Sequence, residues 1–105
     1  MTKPLKKTDL MRAAWLTELR RQGHRQCTET YRVEGGHVCA LGLLAEIAGR
    51  KVSPRTRVEA IGKLAGLTGG ESSWVADLND GYWPMINKHT FAQIADVVEG
   101  WFPND

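Results

Sequence analysis

The stretch from residue 40 to residue 48 constrains the fold of this chain more than any other. It reads Ala-Leu-Gly-Leu-Leu-Ala-Glu-Ile-Ala, and Glu46 is its single charged residue. A helix that is apolar on every side has to be buried, because no face of it suits water. We therefore expect a buried helix at 40–48, ended by Gly49, at the centre of one globular domain over residues 8–105. Residues 1–7 should form a flexible basic tail.

The segments on either side of this helix predict three further helices and one hairpin. Apolar residues recur at helical spacing over residues 9–22, 54–65 and 91–101, and Thr8, Ser53 and Thr90 stand where N-caps are expected. Residues 26–33 and 37–39 are rich in strand-forming types and flank a Glu-Gly-Gly turn. Residues 69–73 are typical of a flexible connection. Trp74, Val75 and Leu78 suggest a short helical turn, which the turn-forming residues 79–81 should stop. The predicted fold class is α+β, a mainly helical single domain of about four helices with one short β-hairpin.

Composition excludes several classes of protein. Of the 105 residues, 42% are hydrophobic and 25% are charged, which is ordinary for a globular domain and unlike a disordered chain. No apolar run approaches the 18 or so residues of a membrane-spanning helix. The first residues lack the apolar stretch of a signal peptide, so the sequence favours a cytoplasmic protein without membrane contacts.

The charge is divided unevenly along the chain. Residues 1–63 carry 13 Lys or Arg and 6 Asp or Glu, whereas residues 64–105 carry one Lys and 6 acids. The basic half could contact nucleic acid or an acidic partner, or the two halves could neutralise each other. The candidate contacts for a nucleic acid or an acidic partner are Arg12, Arg20, Arg21, Arg25, Arg55 and Arg57.

Two cysteines raise the possibility of a small zinc- or thiol-dependent protein. His24, Cys27, His37 and Cys39 fall within 16 residues, and their side chains are types that bind zinc. An extended strand would nevertheless hold the two thiols about 13–16 Å apart, which argues against a shared ion. Cys39 precedes a helix, a position that lowers a thiol pKa. Ordinary buried thiols explain both cysteines better, so we expect neither a cofactor nor a catalytic residue.

The segment Tyr82-Trp83-Pro84-Met85-Ile86 is apolar but follows neither a helical nor a strand period. Tyr82, Trp83, Met85 and Ile86 are therefore candidate partner-binding residues, since aromatic side chains and methionine are favoured at interfaces. The alternative is that the segment folds back onto the core as a lid.

Four motifs in order give the chain a family resemblance. They are Trp15-Leu16 in the first helix, a Cys-x-Leu-Gly-x-Leu run from Cys39, the Asn79-Asp80 pair, and a Thr-capped final helix that begins Phe-x-x-Ile-Ala-Asp. In this order, from about residue 12 to 99, the chain resembles a family of small uncharacterised proteins of phages, prophages and actinobacteria. The longer connection from Gly81 to His89 departs from that family.

This resemblance implies a phage or prophage setting and no particular activity. Small accessory proteins in that setting commonly bind and redirect host machinery. The expected function is therefore a non-enzymatic protein that binds a host or defence protein, as an inhibitor of the anti-defence (anti-CRISPR) type. Nucleic-acid binding through the basic half is the main alternative, and a zinc- or thiol-dependent activity is the other.

Overall fold

The computed structural model describes residues 6–81 and 85–103. It confirms the predicted class: an α+β, mainly helical single domain with one antiparallel hairpin. It contains five α-helices where we expected about four. The elements are α1 (Lys7–Arg21), β1 (Arg32–Val33), β2 (His37–Val38), α2 (Ala40–Ala48), α3 (Val58–Gly62), α4 (Gly69–Asp80) and α5 (Phe91–Trp101). None of the described helices is long and apolar enough to cross a membrane.

Helix α2 occupies the centre, as its composition predicts. Every residue from 40 to 45 is buried, and the helix packs against α1, α3 and α4. Gly49 ends it in the left-handed conformation with φ 69°, which costs glycine little because it has no Cβ. Trp15 of α1 is fully buried, and its indole N–H donates to the Ala40 carbonyl at 2.8 Å. This bond fixes α1 against the start of α2.

Helix α1 begins at Lys7, two residues before the predicted start at residue 9. Thr8 is thus inside the helix, and the first turn is closed by the Lys6 backbone N–H, which donates to the Asp9 carboxylate at 3.1 Å. That carboxylate also suits the positive end of the helix dipole. Leu16 and Leu19 of this helix are buried beside Trp15.

The hairpin is confirmed, but it is shorter than predicted. Arg32 pairs with Val38 and Val33 with His37, and the turn contains Gly35 and Gly36 at positive φ. The prediction of a continuous strand from residue 26 is wrong, because the chain bends at 28–31.

This bend brings Cys27 back beside the hairpin. The Cys27 backbone N–H donates to the Val38 carbonyl at 2.9 Å, and Glu29 has a φ of 68°, which is uncommon for a residue with a Cβ. The two cysteines are consequently much closer in the fold than an extended strand would place them.

Gly42 permits the closest backbone approach in the core. A Cβ at this position would lie 2.1 Å from the Tyr31 carbonyl oxygen. The bent segment can therefore rest directly on α2 at Tyr31, and the Cys39 N–H donates to the same carbonyl at 3.1 Å.

The predicted helix start at Ser53 is wrong. Here the Ser and Thr side chains bond to nearby backbone: Ser53 N–H donates to Thr56 Oγ1, and Arg55 N–H donates to Ser53 Oγ. Such local bonds compete with a helix and hold these residues in a turn. Helix α3 begins at Val58 and continues into a 3₁₀ turn that ends at Gly66.

The prediction of a flexible connection at 69–73 is also wrong, and the short helical turn expected at 74–78 is part of a longer helix that includes Asn79 and Asp80. Thr68 Oγ1 accepts the Glu71 N–H while the Glu71 carboxylate accepts the Thr68 N–H, which is a capping box. This start signal outweighs the low helix propensity of two glycines. Helix α4 therefore runs to Asp80, and Asn79 lies in its last turn.

Helix α5 begins and ends where the sequence predicts. Thr90 and Gln93 form the expected capping box, and Phe91, Ile94 and Val98 are fully buried. The helix packs against α1, so the first and last helices are neighbours.

Candidate functional site

The predicted partner-binding segment is only partly within the described residues. Tyr82 and Trp83 lie outside them. Met85 is 80% exposed, the highest value among the large hydrophobic residues that the structure describes. Ile86 is partly buried and packs against the core. The described end of this segment thus presents one apolar side chain to solvent and anchors the next.

Arg12 is committed to bonds within the fold. It donates to the Asp9 carboxylate at 2.8 Å and to the Ala65 carbonyl at 3.0 Å. Its guanidinium carbon also lies 3.7 Å from the centroid of the Phe102 ring, a cation–π contact. A partner could reach this side chain only by breaking some of these contacts.

Arg20 and Arg21 also pair with carboxylates of the chain. Arg20 lies 3.0 Å from both Asp96 and Glu99 of α5, and these contacts raise the pKa of its guanidinium. Arg21 contacts Glu18 one turn earlier at 2.7 Å. The Arg20 pairs join the basic half of the chain to the acidic half, as mutual neutralisation requires.

Arg25 holds the loop after α1 against α2. It binds both carboxylate oxygens of Glu46, at 2.8 and 2.9 Å, and also donates to the Gly36 carbonyl. A bidentate arginine–carboxylate pair is strong and directional. It holds the pKa of Glu46 below its usual value.

Arg55 and Arg57 differ from the other four candidates. Both are exposed, and neither forms an ion pair with a carboxylate in the parts of the chain that are described. Of the six arginines considered for nucleic acid or an acidic partner, these two are free for external contacts.

Cys39 is the N-cap residue of α2, and its Sγ accepts the Gly42 N–H at 3.2 Å. Position alone predicts a lowered thiol pKa. Burial instead raises the pKa of Cys39 to about 11, even though part of the residue remains exposed. Burial also raises the pKa of Cys27. Both thiols are therefore predominantly protonated at neutral pH and poor nucleophiles.

Cys39 lines a cavity of about 280 Å³ between the bent segment, α2 and α4. Tyr31 and Leu41 contribute apolar wall, and Glu29 and Asp80 contribute carboxylates; the remaining lining residues are Thr30, Pro54, Thr56, Val58, Ala76 and Asn79. No described histidine lines it that could act as a base for the thiol. Within 6–81 and 85–103, no three His, Cys, Asp or Glu side chains are grouped to hold a metal ion.

The side chain of Asn79 joins three separate parts of the chain. It is 1% exposed, and its Oδ1 accepts the Ala40 N–H and the Gln26 side-chain N–H, both at 3.1 Å. Its Nδ2 donates to the Cys27 carbonyl and to Asp80 Oδ1, both at 2.9 Å. All four hydrogen-bonding capacities of the carboxamide are used, which is how a buried polar group avoids a desolvation cost.

Asp80 extends this hydrogen-bond network to Glu29, the residue with a positive φ. Its Oδ1 also accepts the Glu29 N–H at 2.9 Å, and Gln26 donates to the His89 carbonyl at 2.8 Å. The pair Asn79-Asp80, which sequence reasoning treated as a turn, therefore holds the bent segment in place. Its signal in the sequence is that Ser72, Val75 and Asn79 share one face of a helix.

Comparison with known proteins gave no match. No family model, no curated protein and no solved structure is significantly similar to the chain.

Proposed function

We propose that the chain is a non-enzymatic accessory protein of a phage or prophage that binds a host or defence protein and inhibits it. The observation that carries the proposal is the 80% exposure of Met85 beside the core-anchored Ile86. A methionine is flexible and polarizable, and it adapts to a partner surface. Single exposed hydrophobic residues are common, but this one continues the aromatic sequence Tyr82-Trp83.

Three other features support a binding role. The two thiols have raised pKa values, and Arg12, Arg20 and Arg25 bind groups of their own chain. These thiols are thus poor nucleophiles, and these arginines are engaged in maintaining the fold. The phage setting comes from the family resemblance of the four sequence motifs.

Capture from a lysate of the bacterial host tests the proposal. The immobilised full chain should retain a specific protein, and Trp83→Ala or Met85→Ala should reduce its affinity by about 30-fold or more, as is typical of anchor residues. Trp74→Ala is the matched control, because Trp74 is a tryptophan that is 46% exposed on α4. It should retain the captured protein.

Thermal melting separates an anchor from a core lid. If Trp83 is an anchor, Trp83→Ala should melt within a few degrees of the unmodified chain. A loss of about 3–5 kcal/mol would mean that Trp83 packs in the core, and the proposed interface would then be wrong. Equal capture by the wild type and Met85→Ala would contradict it as well.

Nucleic-acid binding is the second candidate function, and the exposed Arg55 and Arg57 favour it. If they contact phosphates, a DNA duplex should bind at low salt and weaken as salt rises, with a log–log slope of about −0.9 per contact. The double variant Arg55→Glu/Arg57→Glu should abolish binding, while Arg21→Glu should change it less. Affinity that does not depend on salt would exclude this function.

A further inference from the structure

A second surface of the molecule is a groove on the side of α1 and α3. It has a volume of about 510 Å³, and its floor is aliphatic: Met11 of α1, Ala48 of α2, Ala60 of α3 and Leu64 of the following 3₁₀ turn. All four are partly buried, and Met11 and Leu64 pack against the core. The floor is consequently a fixed apolar surface that remains open to solvent. Its volume lies within the range of about 300–1,000 Å³ that is usual for ligand sites.

Three cations surround this floor. Lys7, Arg50 and Lys63 line the groove from three different elements, and each is exposed. No acidic residue is among the described lining residues. None of the three forms an ion pair with a described carboxylate. This differs from Arg20 and Arg25, which the fold neutralises with its own acids.

None of the described carboxylates nearest in the sequence pairs with a cation of the groove. Asp9 binds Arg12 at 2.8 Å. Glu46, four residues before Arg50, binds Arg25 at 2.8 Å. Glu59, four residues before Lys63, forms no ion pair with it among the described residues. The positive charge around the groove is therefore not compensated within the described part of the domain.

We infer that this groove binds an acidic segment of a partner protein that carries aliphatic side chains between its carboxylates. The aliphatic side chains cover Met11 and Leu64, and the carboxylates pair with Lys7, Arg50 and Lys63. The unpaired cations favour a negatively charged partner, and the apolar floor favours one that also carries aliphatic side chains. A nucleic acid fits less well, because the described lining offers no aromatic ring on which a base could stack.

This inference is independent of the proposed role of Met85, since the two surfaces share no residue. It is tested with a defined peptide rather than with a lysate, so failure of one does not imply failure of the other.

The probe is a fluorescent peptide of about 12 residues with Glu and Leu at helical spacing on one face. Its anisotropy on titration with the full chain should show saturable binding. The double variant Arg50→Glu/Lys63→Glu should weaken binding by about tenfold or more. Lys51→Glu is the matched control: this lysine is equally exposed but does not line the groove. It should change the affinity by less than about threefold.

Two further peptides separate the contributions. Replacing Leu by Ser should weaken binding by about tenfold, because the apolar floor then loses its contacts. Replacing Glu by Gln should do the same through loss of charge. Melting curves of the variants show whether they remain folded. If Arg50→Glu/Lys63→Glu does not fold, the milder variant Lys63→Gln replaces it in the binding assay.

Several results would overturn the inference. The first is the absence of saturable binding by the wild type. The others are equal weakening by Lys51→Glu and full affinity for the Ser peptide, because both would indicate a diffuse charge effect. Tighter binding of single-stranded DNA, lost in Arg50→Glu/Lys63→Glu, would assign the groove to nucleic acid instead.

Discussion

Replacing Asn79 by Ala tests whether its carboxamide holds the fold together. The substitution leaves the Ala40 N–H and the Cys27 carbonyl without their partner and frees the Gln26 side chain. A buried polar group that loses its partner costs about 1–3 kcal/mol. Gln26 and Cys27 are only partly buried, so water can satisfy them in part, whereas the Ala40 N–H is buried. The unsatisfied buried N–H, together with two partly buried bonds worth about 0.5–1.5 kcal/mol each, predicts a loss of about 2–6 kcal/mol in the free energy of unfolding.

This loss is a large share of the total stability of a domain, which is typically about 5–15 kcal/mol. For a chain of this size it corresponds to a fall in Tm of about 8 °C or more. Urea unfolding monitored by tryptophan fluorescence gives the free energy directly. Asn87→Ala is the control, because Asn87 is an exposed asparagine and its replacement should change the stability by less than about 0.5 kcal/mol.

Asn79→Asp separates the two ends of the carboxamide. An aspartate keeps oxygen acceptors for the Ala40 N–H but loses both donated bonds and places a second carboxylate beside Asp80. It should destabilise the domain at neutral pH. Burial and the neighbouring Asp80 raise the folded-state pKa of the new carboxyl above its ordinary value of about 3.9, so stability should recover partly as the pH falls through that raised value towards about 4. If Asn79→Ala unfolds within 1 kcal/mol of the wild type, the network does not hold the bent segment and this reasoning is wrong.

The remaining predictions concern the thiol, two glycines and one ion pair. With a pKa of about 11, Cys39 is about 0.1% thiolate at pH 8. In a variant that lacks Cys27, a thiol reagent should therefore label the native chain far more slowly than the unfolded chain. Gly42→Ala should cost about 3 kcal/mol or more in a urea melt, because the new Cβ meets backbone at 2.1 Å. Gly100→Ala, with open space around it on α5, should instead stabilise the domain by about 0.5–1 kcal/mol. Arg25 lowers the folded-state pKa of Glu46 from its ordinary 4.5, so the stability that this pair contributes is present above pH 4.5 and is lost as the pH falls below it. Arg25→Gln should therefore flatten the acid side of the stability profile. An unchanged profile would exclude the pair as the source of this pH dependence.

The elements that could be predicted from the sequence are those with strong local signals. Helix α2 follows from its apolar composition and Gly49, and α5 from its capping box and its apolar face. The hairpin turn follows from two consecutive glycines at positive φ. In each case the local preference and the tertiary packing agree.

The elements that could not be predicted depend on long-range contacts. The bend at 28–31 is held from more than 50 residues away: Asp80 accepts the Glu29 N–H, and Asn79 donates to the carbonyl of Cys27 just before the bend. No local pattern in residues 26–33 indicates those partners. Their strand-forming composition therefore gave a wrong extended segment, and with it a wrong separation of the two thiols.

The same distinction applies to the candidate site. Charge alone indicates six arginines as candidate contacts for a nucleic acid or an acidic partner. Only the structure distinguishes Arg20, which is paired with α5, from Arg55, which is exposed. The sequence does not indicate the groove, because its cations come from positions 7, 50 and 63, which lie together only after folding.

The packing of α1 against α5 has a consequence for synthesis of the chain. About 70 residues separate the two helices, and translation at about 5–20 residues per second takes about 4–14 s to cover them. During that interval Trp15 and Leu19 have emerged without Phe91, Ile94 and Val98 to cover their side of the core. A ribosome stalled before residue 91 should therefore display a protease-sensitive chain that engages chaperones, and protection should appear only once α5 has left the ribosome.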